Sequence, residues 1–366
     1  MKVYLNIILY LCLYGFIFRF LPIEEKTKKK LFILFAAFHL IFVQGFRFKS
    51  VGGDLYRYEV FYDIVKYFDL NQFINHRFEL GFKCVVWVFS NLNLSFQNFL
   101  LIISVFTITL FSKTVYEYSK FPLISFVLYL ITGMFDFGFS GLRQIISMSL
   151  ILLSFKYILN KNAFKYNIIV ILASLFHKSA LIFLLFQIFN IKDIGKIYLK
   201  IYPVILICIV ILGSNLSRLL TIIFKQDLLT YYSDDFSGFG GTSLVIFSVL
   251  LLSAITKIIL KESNRILDNL IIITSVSLLF QSLSQYSYLF TRFNLFFYQF
   301  IALLVPNLIF YWRSFFSLNN KHIKFIFDII IFFIFILLSF NFYKLILEGN
   351  PHQIIPHIYR WEDFNA

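Results

Sequence analysis

The chain has 366 residues, 60% of them hydrophobic and only 14% charged, with a formal net charge of +14. A soluble globular protein carries about a quarter charged residues, so a soluble enzyme or nucleic-acid-binding domain is excluded, and the cations must be read by their placement. Segments such as Phe325 to Leu338 are almost continuously apolar instead of alternating, which excludes an outer-membrane barrel.

Apolar runs recur from end to end, each about long enough at 1.5 Å of rise per residue to cross a ~30 Å hydrocarbon core. They predict spans at 3–21, 31–46, 95–112, 121–137, 142–159, 201–223, 242–260, 269–290, 293–310 and 325–345. The first run has only Lys2 before it and no small-residue cleavage site, so it reads as a retained span and not a signal peptide. Two shorter apolar pieces decide the parity. The piece at 78–92, containing GFKCVVWVF, has about a dozen apolar residues and reads as a re-entrant or interfacial helix. The piece at 167–190 carries His177 and Lys178 at its centre. A single crossing there would place Lys192, Lys196 and Lys200 outside, against the positive-inside rule, so it reads as two half-length helices meeting near His177.

On this map both chain ends lie outside, outer loops occupy 47–77 and 224–241, and an outer tail starts at 346. Residues 1–366 form one integral membrane domain without internal repeats. Lysine divides sixteen inside to seven outside, whereas arginine divides three to seven, with Arg47, Arg143, Arg218, Arg292 and Arg360 among the outer ones. Lysine obeys the orientation rule, so the outer arginines need another reason. A guanidinium fork matches phosphate or carboxylate in a bidentate way, which points to an outward-facing anion site. Cys12, Cys84 and Cys208 are odd in number and sit in apolar runs, so they read as small core residues.

Three constellations carry chemistry. Arg143 and Gln144 open the span GLRQIISMSLILLSF, with Ser147 and Ser154 on the arginine's helical face. The plain alternative is an arginine snorkelling to headgroups. Ser277, Gln281, Gln285 (or Ser284), Tyr288 and Arg292 follow helical spacing and predict a polar stripe up one span to an outer arginine; interhelical hydrogen bonding is the structural alternative. His177 titrates close to physiological pH and lacks a metal-ligand spacing around it, so no metal is expected. In GFRFKSVGGDLYRY, Arg47 marks the exit from the membrane, Gly52-Gly53 opens conformations closed to other residues, and Asp54 sits at the surface before LYRYEVFYDIVKYF, an interfacial helix by its mixed composition. Glu79 opens the re-entrant piece in RFELGF. Asp54 and Glu79 are candidate catalytic carboxylates, and helix capping is the structural reading of Asp54.

The order of these landmarks resembles the EpsG-type, Wzy-like polysaccharide polymerases of bacterial envelopes. It runs from Arg47 and VGGD through ELGFKCVVWVF, the GLRQ start, FHKSALI around His177 and TRFNLFFYQF around Arg292 to IIPHIYRW in the tail. The sequence departs from the usual pattern in GGD and in PHIY. The resemblance implies an all-α polytopic bundle of about ten spans plus re-entrant pieces, similar to class C glycosyltransferases. It further implies a multi-pass enzyme of the bacterial inner membrane with its site facing the periplasm. Such an enzyme joins undecaprenyl-pyrophosphate-linked repeat units into O-antigen, capsule or exopolysaccharide, using no cofactor, beside a Wzz-like chain-length regulator. Arg143 and Arg292, assisted by Arg47, would hold the pyrophosphate, lined by Gln144, Gln281, Gln285 and Tyr288. Glu79 or His177, before Asp54, would be the base. Two other readings are a class C transferase using a polyprenyl-phosphate sugar and a lipid-linked oligosaccharide flippase. A flippase predicts related halves and midplane polar sites, which this chain does not show. An O-acyltransferase fits less well, because His177 has no acidic partner evident in the sequence.

Overall fold

The computed structural model describes residues 2–190, 200–205, 241–261, 264–284, 288–319, 321–349, 352–354 and 357–359. Helix α1 (Lys2–Phe20) ends just before Leu21-Pro22, where the residue ahead of a proline is steered out of helical geometry. Helix α2 (Glu25–Gly45) runs back beside it. Next come α3 (Leu55–Ile64), a 3-10 turn Val65–Tyr67, α4 (Leu70–Asn75) and α5 (Leu80–Asn91), all too short to cross a membrane. The Asp69 and Gln72 capping box starts α4 by satisfying its first orphan amides. Together with the first turns of α6 (Phe96–Tyr118) these pieces bury their own aromatic cluster of Tyr58, Phe61, Phe78, Phe82 and Phe99.

Helices α7 (Pro122–Ile131) and α8 (Met134–Ser140) are together long and apolar enough for one span and meet at a bend of 52°. The straight span expected at 121–137 is therefore broken, because Gly133 takes φ 75°, a conformation cheap only for glycine. Helix α9 (Leu142–Leu159) follows. Helix α10 (Ala163–Ser174) and the 3-10 helix Lys178–Asn190 then fold against each other as a hairpin. Tyr166 Oη donates to the Phe183 carbonyl at 2.6 Å, and Gln187 bonds Asn167. These contacts show the chain turning back at His177, as two half-length helices require.

Residues 200–205 are helical. The rest of the span expected at 201–223, and the loop expected at 224–241 up to residue 240, lie outside the described residues, as do Lys192, Lys196, Cys208, Arg218 and Arg360. Helix α11 (Gly241–Ile255) continues as a π-helical turn, Thr256–Leu260. Helices α12 (Arg265–Leu283), α13 (Tyr288–Tyr298), α14 (Ile301–Asn319) and α15 (Lys321–Gly349) complete the bundle. Among the described residues six helices are long and apolar enough to cross a membrane, or seven when the bent pair counts as one. The protein is an all-α polytopic bundle.

Where backbones approach closely, the sequence supplies small residues, the usual device of helices packed in lipid. A Cβ on Gly45 would lie 3.3 Å from Leu101 Cα, so glycine lets α2 press on α6. The buried hydroxyls of Ser104, Thr107 and Ser149 return their hydrogen bonds to carbonyls one turn back and so satisfy their own donors. The loops joining the spans sort to two ends. Arg19, Lys28, Lys29, Ser119, Ile158, Arg265 and Arg313 meet at one, where Lys29 bonds the Ser119 carbonyl at 2.8 Å and Arg265 that of Ile158 at 3.1 Å. The loop after α2, the start of α9, the hairpin turn at His177 and the segment after α15 meet at the other.

Candidate functional site

The loop after α2 is held by its own cation. Arg47 is fully buried. One amino group donates to the Gln44 carbonyl and the other to the Phe139 carbonyl at 3.3 Å, while the guanidinium lies 4.8 Å over the Phe139 ring. Gln97 donates to the Arg47 carbonyl, and Arg47 pairs with Tyr359 in an antiparallel bridge. Gly52 follows at φ 137°, and a Cβ there would fall 2.2 Å from the Phe139 carbonyl oxygen, so only glycine lays this loop on α8. Gly53 N–H donates to the His352 carbonyl at 3.0 Å. Asp54 then occupies the N-cap of α3 without a side-chain capping bond, and its exposed carboxylate lines a cavity.

Glu79 holds the equivalent place at the start of α5. It too makes no capping bond; its carboxylate spans two partners instead. One oxygen bonds Arg143, and the other sits 3.4 Å from His177 Nδ1. A glycine makes this meeting possible. Gly81 N–H donates to the Leu175 carbonyl at 2.8 Å, and a Cβ on Gly81 would come within 2.9 Å of that oxygen. The start of α5 is thus pressed onto the end of α10, two residues before His177. Lys83 steadies the turn ahead of it by donating to the Phe73 and Ile74 carbonyls at 2.7 and 2.9 Å. Ser147, on the arginine's face of α9, donates to the Ala173 carbonyl at 2.8 Å and fixes α10 against α9.

Arg143 lies in the first turn of α9, its guanidinium 4.7 Å over the Phe78 ring and in contact with the Tyr58 hydroxyl. Its Nε is buried without an acceptor among the described residues. His177 is 7% exposed and stacks at 8° on Phe296. Arg292 comes from α13. That helix folds back along α12, with Ser277 donating to Asn294 Oδ1 at 2.5 Å and Asn294 donating to Gln281 Oε1 at 2.6 Å. Gln144 donates to the Arg292 carbonyl at 2.9 Å, which ties α13 to α9.

Burial alone would raise the Glu79 carboxyl's pKa, but the adjoining imidazole and the Arg143 guanidinium outweigh it and bring the group down to about 2. Glu79 is therefore a fixed anion. His177, in a hairpin that turns back without crossing, is pushed the other way from a protonated state: burial lowers its pKa, Glu79 opposes, and the charges of Arg143 and Arg292 add to the lowering.

The cavity so formed has a volume of about 290 Å³ and is lined by Asp54, Tyr58, Arg143, Gln144, His177, Arg292, His352 and Gln353. The structure brings Asp54, Glu79, Arg143, Gln144, His177 and Arg292 together from five separate stretches of chain. Arg47 it places away from the cavity, on backbone carbonyls. Gln281 holds Asn294 and is not on the cavity wall. Gln285 lies outside the described residues, and of Tyr288 only its place at the start of α13 is described. The expected continuous stripe is interrupted, since α12 ends at Leu283, where Ser284 Oγ donates to the Gln281 carbonyl at 2.7 Å, and Arg292 belongs to the next helix. Sequence reasoning missed Tyr58, His352 and Gln353. The polar run PHQ beside the apolar last span was the available signal for the last two. His352 meets Ser140 Oγ at 3.0 Å, and burial lowers its pKa. Among the described residues no group of three His, Cys, Asp or Glu could hold a metal ion.

Fold and site together define a polytopic membrane protein with a cationic, histidine-bearing cavity at one end of its bundle. The EpsG family model matches residues 30–358, and the chain belongs to the EpsG family. No curated protein and no solved structure matches it.

Proposed function

We propose that this protein is a membrane glycosyltransferase that joins polyprenyl-pyrophosphate-linked glycan repeat units, a reading supported by its family and carried by one observation. Arg143 and Arg292 share a cavity with His177, and His177 is backed by the ionised Glu79. Lysine and arginine sort differently along the chain, and the cavity lies at the end opposite the lysine-rich loops, which under the positive-inside rule is the periplasmic side.

The bond from the donor's anomeric carbon to the pyrophosphate oxygen breaks, and a bond from that carbon to an acceptor hydroxyl oxygen forms. The hydroxyl proton passes to His177 Nε2. Glu79 stands 3.4 Å from the other ring nitrogen, where its charge would orient the base and stabilise the imidazolium that forms, as a carboxylate does for histidine in hydrolytic triads. With a pKa near 2 Glu79 is too weak a base to take the proton itself. The departing pyrophosphate is gripped by Arg292 and by Arg143, whose unmatched Nε offers a further donor. Fixed cations in a site sheltered from water stabilise developing charge more than they would in bulk solvent. Tyr58 and His352 flank the same space and would contact the sugar or phosphate. Asp54 on the cavity wall favours one second reading, a transferase of single sugars from a polyprenyl monophosphate.

Deletion followed by gel analysis of envelope glycan separates these readings. Loss of long chains with retention of a single-repeat rung, rescued by wild type and not by Arg292→Ala, supports the polymerase. Loss of all glycan, or single-sugar addition by the purified protein, excludes it.

A further inference from the structure

Among the described residues a second cavity is larger than the candidate catalytic one. It is a groove of about 1180 Å³ between α1 and α15, floored by α7 and α14, above the ~300–1,000 Å³ of sites built for compact small molecules. Its walls over most of their length are aliphatic and aromatic, with Leu5, Ile8, Leu123, Ile331 and Phe335 among them. Helix α15 borders it as the least buried of the long apolar helices, packing among the described residues chiefly against α7 and α14. The groove changes character at the lysine-rich end, where Arg19, Lys28, Lys29, Lys120 and Arg313 line it with only Glu25 and Asp328 as counter-charge.

Those two carboxylates are already engaged. Glu25 pairs with Lys28 at 2.9 Å, and Asp328 takes Arg313 Nε at 2.9 and 3.1 Å. Lys29 and Lys120 are close enough to repel each other. Among the described residues neither pairs with a carboxylate: Lys29 donates to the Ser119 carbonyl and lies 5.5 Å over Tyr116, and Lys120 lies 5.2 Å over Phe310. Two ammonium groups held together at the mouth of an apolar groove call for an anion with a long hydrocarbon part.

We infer that this groove binds an anionic phospholipid of the surrounding membrane, its acyl chains between α1 and α15 and its phosphate against Lys29 and Lys120. The site is separate from the catalytic cavity, which lies at the opposite end of the bundle. A polyprenyl pyrophosphate seated in the catalytic cavity would present its phosphates at that far end, so charge placement favours a resident lipid over the substrate's tail.

Native mass spectrometry of the full-length protein, exchanged into micelles doped with phosphatidylglycerol or phosphatidylcholine, tests this. Each lysine near an anionic lipid surface is worth roughly fivefold in affinity, so Lys29→Gln with Lys120→Gln should weaken retention of phosphatidylglycerol by about 30-fold. Phosphatidylcholine retention should hardly change. Ser339→Trp, which fills the groove from α15 without entering the bundle core, should reduce retention of both lipids and leave the protein monodisperse. Equal retention of the two lipids by wild type, or unchanged phosphatidylglycerol retention in the double variant, overturns the assignment. A mass doublet of two chains that Ser339→Trp abolishes would assign the groove to a second copy. Displacement of the lipid by undecaprenyl phosphate alone would assign it to the substrate's tail.

Discussion

The two ends of the bundle hold their charges in different ways. At the lysine-rich end ion pairs are local and open to solvent: Lys28 with Glu25, Lys257 with Asp268, and Arg313 with Asp328, the last pair 37% and 38% exposed. Such pairs contribute about 0–1 kcal/mol each and serve mainly to orient the chain. At the other end Glu79, 9% exposed, joins Arg143 and His177 from two other parts of the sequence. Charges gathered from a distance and shielded from water are costly to assemble, and here the cost coincides with a cavity. Where a cation sits matters less than what it was brought across the fold to meet.

Arginines at the cavity end sharpen the contrast, because Arg47 is buried and Arg143 half-buried, and the two are differently used. Arg143→Ala removes charge from the leaving group and the clamp on Glu79, so polymerisation by purified protein should fall by about 10³-fold with the protein still folded. Arg47→Ala strands the Gln44 and Phe139 carbonyls and should lower unfolding stability by about 2–3 kcal/mol, while the fraction that folds keeps its rate. If the two variants exchange phenotypes, the assignment of Arg47 to the scaffold and Arg143 to the chemistry fails.

Removal of the proposed base comes next. His177→Gln should slow turnover by about 10²–10³-fold, within the range of general-base contributions. The base works when neutral, and its pKa is lowered, so the wild-type rate should fall on the acid side only below the ordinary histidine value of about 6.5. Glu79→Gln takes away the charge that raises the imidazole's pKa. It should therefore shift that acid limb to still lower pH while reducing the rate. An acid limb that moves upward in Glu79→Gln, or that survives in His177→Gln, would show that another group carries the proton.

Gly81 tests whether the meeting of α5 with the hairpin is what builds the site. A methyl group there would stand 2.8 Å from Leu175 Cβ and 2.9 Å from its carbonyl oxygen, pushing Glu79 away from His177. Displacement of about 1 Å in a catalytic group can cost 10²-fold, so Gly81→Ala should lower kcat by roughly that factor and leave KM nearly constant. Little change in kcat would mean that Glu79 does not position the base.

Much of this end could be read from sequence, and the reason it could is physical. Residues such as Arg143, Glu79 and His177 stand out because charge inside an apolar run is expensive and therefore conspicuous. The hairpin at His177 was legible because lysine placement forbids a crossing. What stayed hidden depends on contacts distant in sequence. Nothing local in Arg47 reveals that it stacks on Phe139 and pairs with Tyr359, and nothing in PHQ fixes His352 beside Ser140. The stripe from Ser277 to Arg292 misled because helical spacing was carried past Leu283, where α12 ends.

That stripe supplies the smallest effect and a clean distinction. On one helix, Ser277 and Gln281 would face substrate; in the structure Ser277 donates to Asn294 of the returning α13, and Gln281 accepts from Asn294 while its amide nitrogen donates to Ser284. Interhelical hydrogen bonds within membranes average about 0.6 kcal/mol and reach about 1.7. Asn294→Ala breaks two of them and should therefore cost about 1–2 kcal/mol of unfolding stability, read in a denaturant titration in micelles. Because Gln144 still holds the Arg292 carbonyl, turnover should drop by less than about tenfold. A loss of activity as large as that of Arg143→Ala, with stability unchanged, would place Asn294 and its partners on the substrate instead of in the frame that carries Arg292 to the cavity.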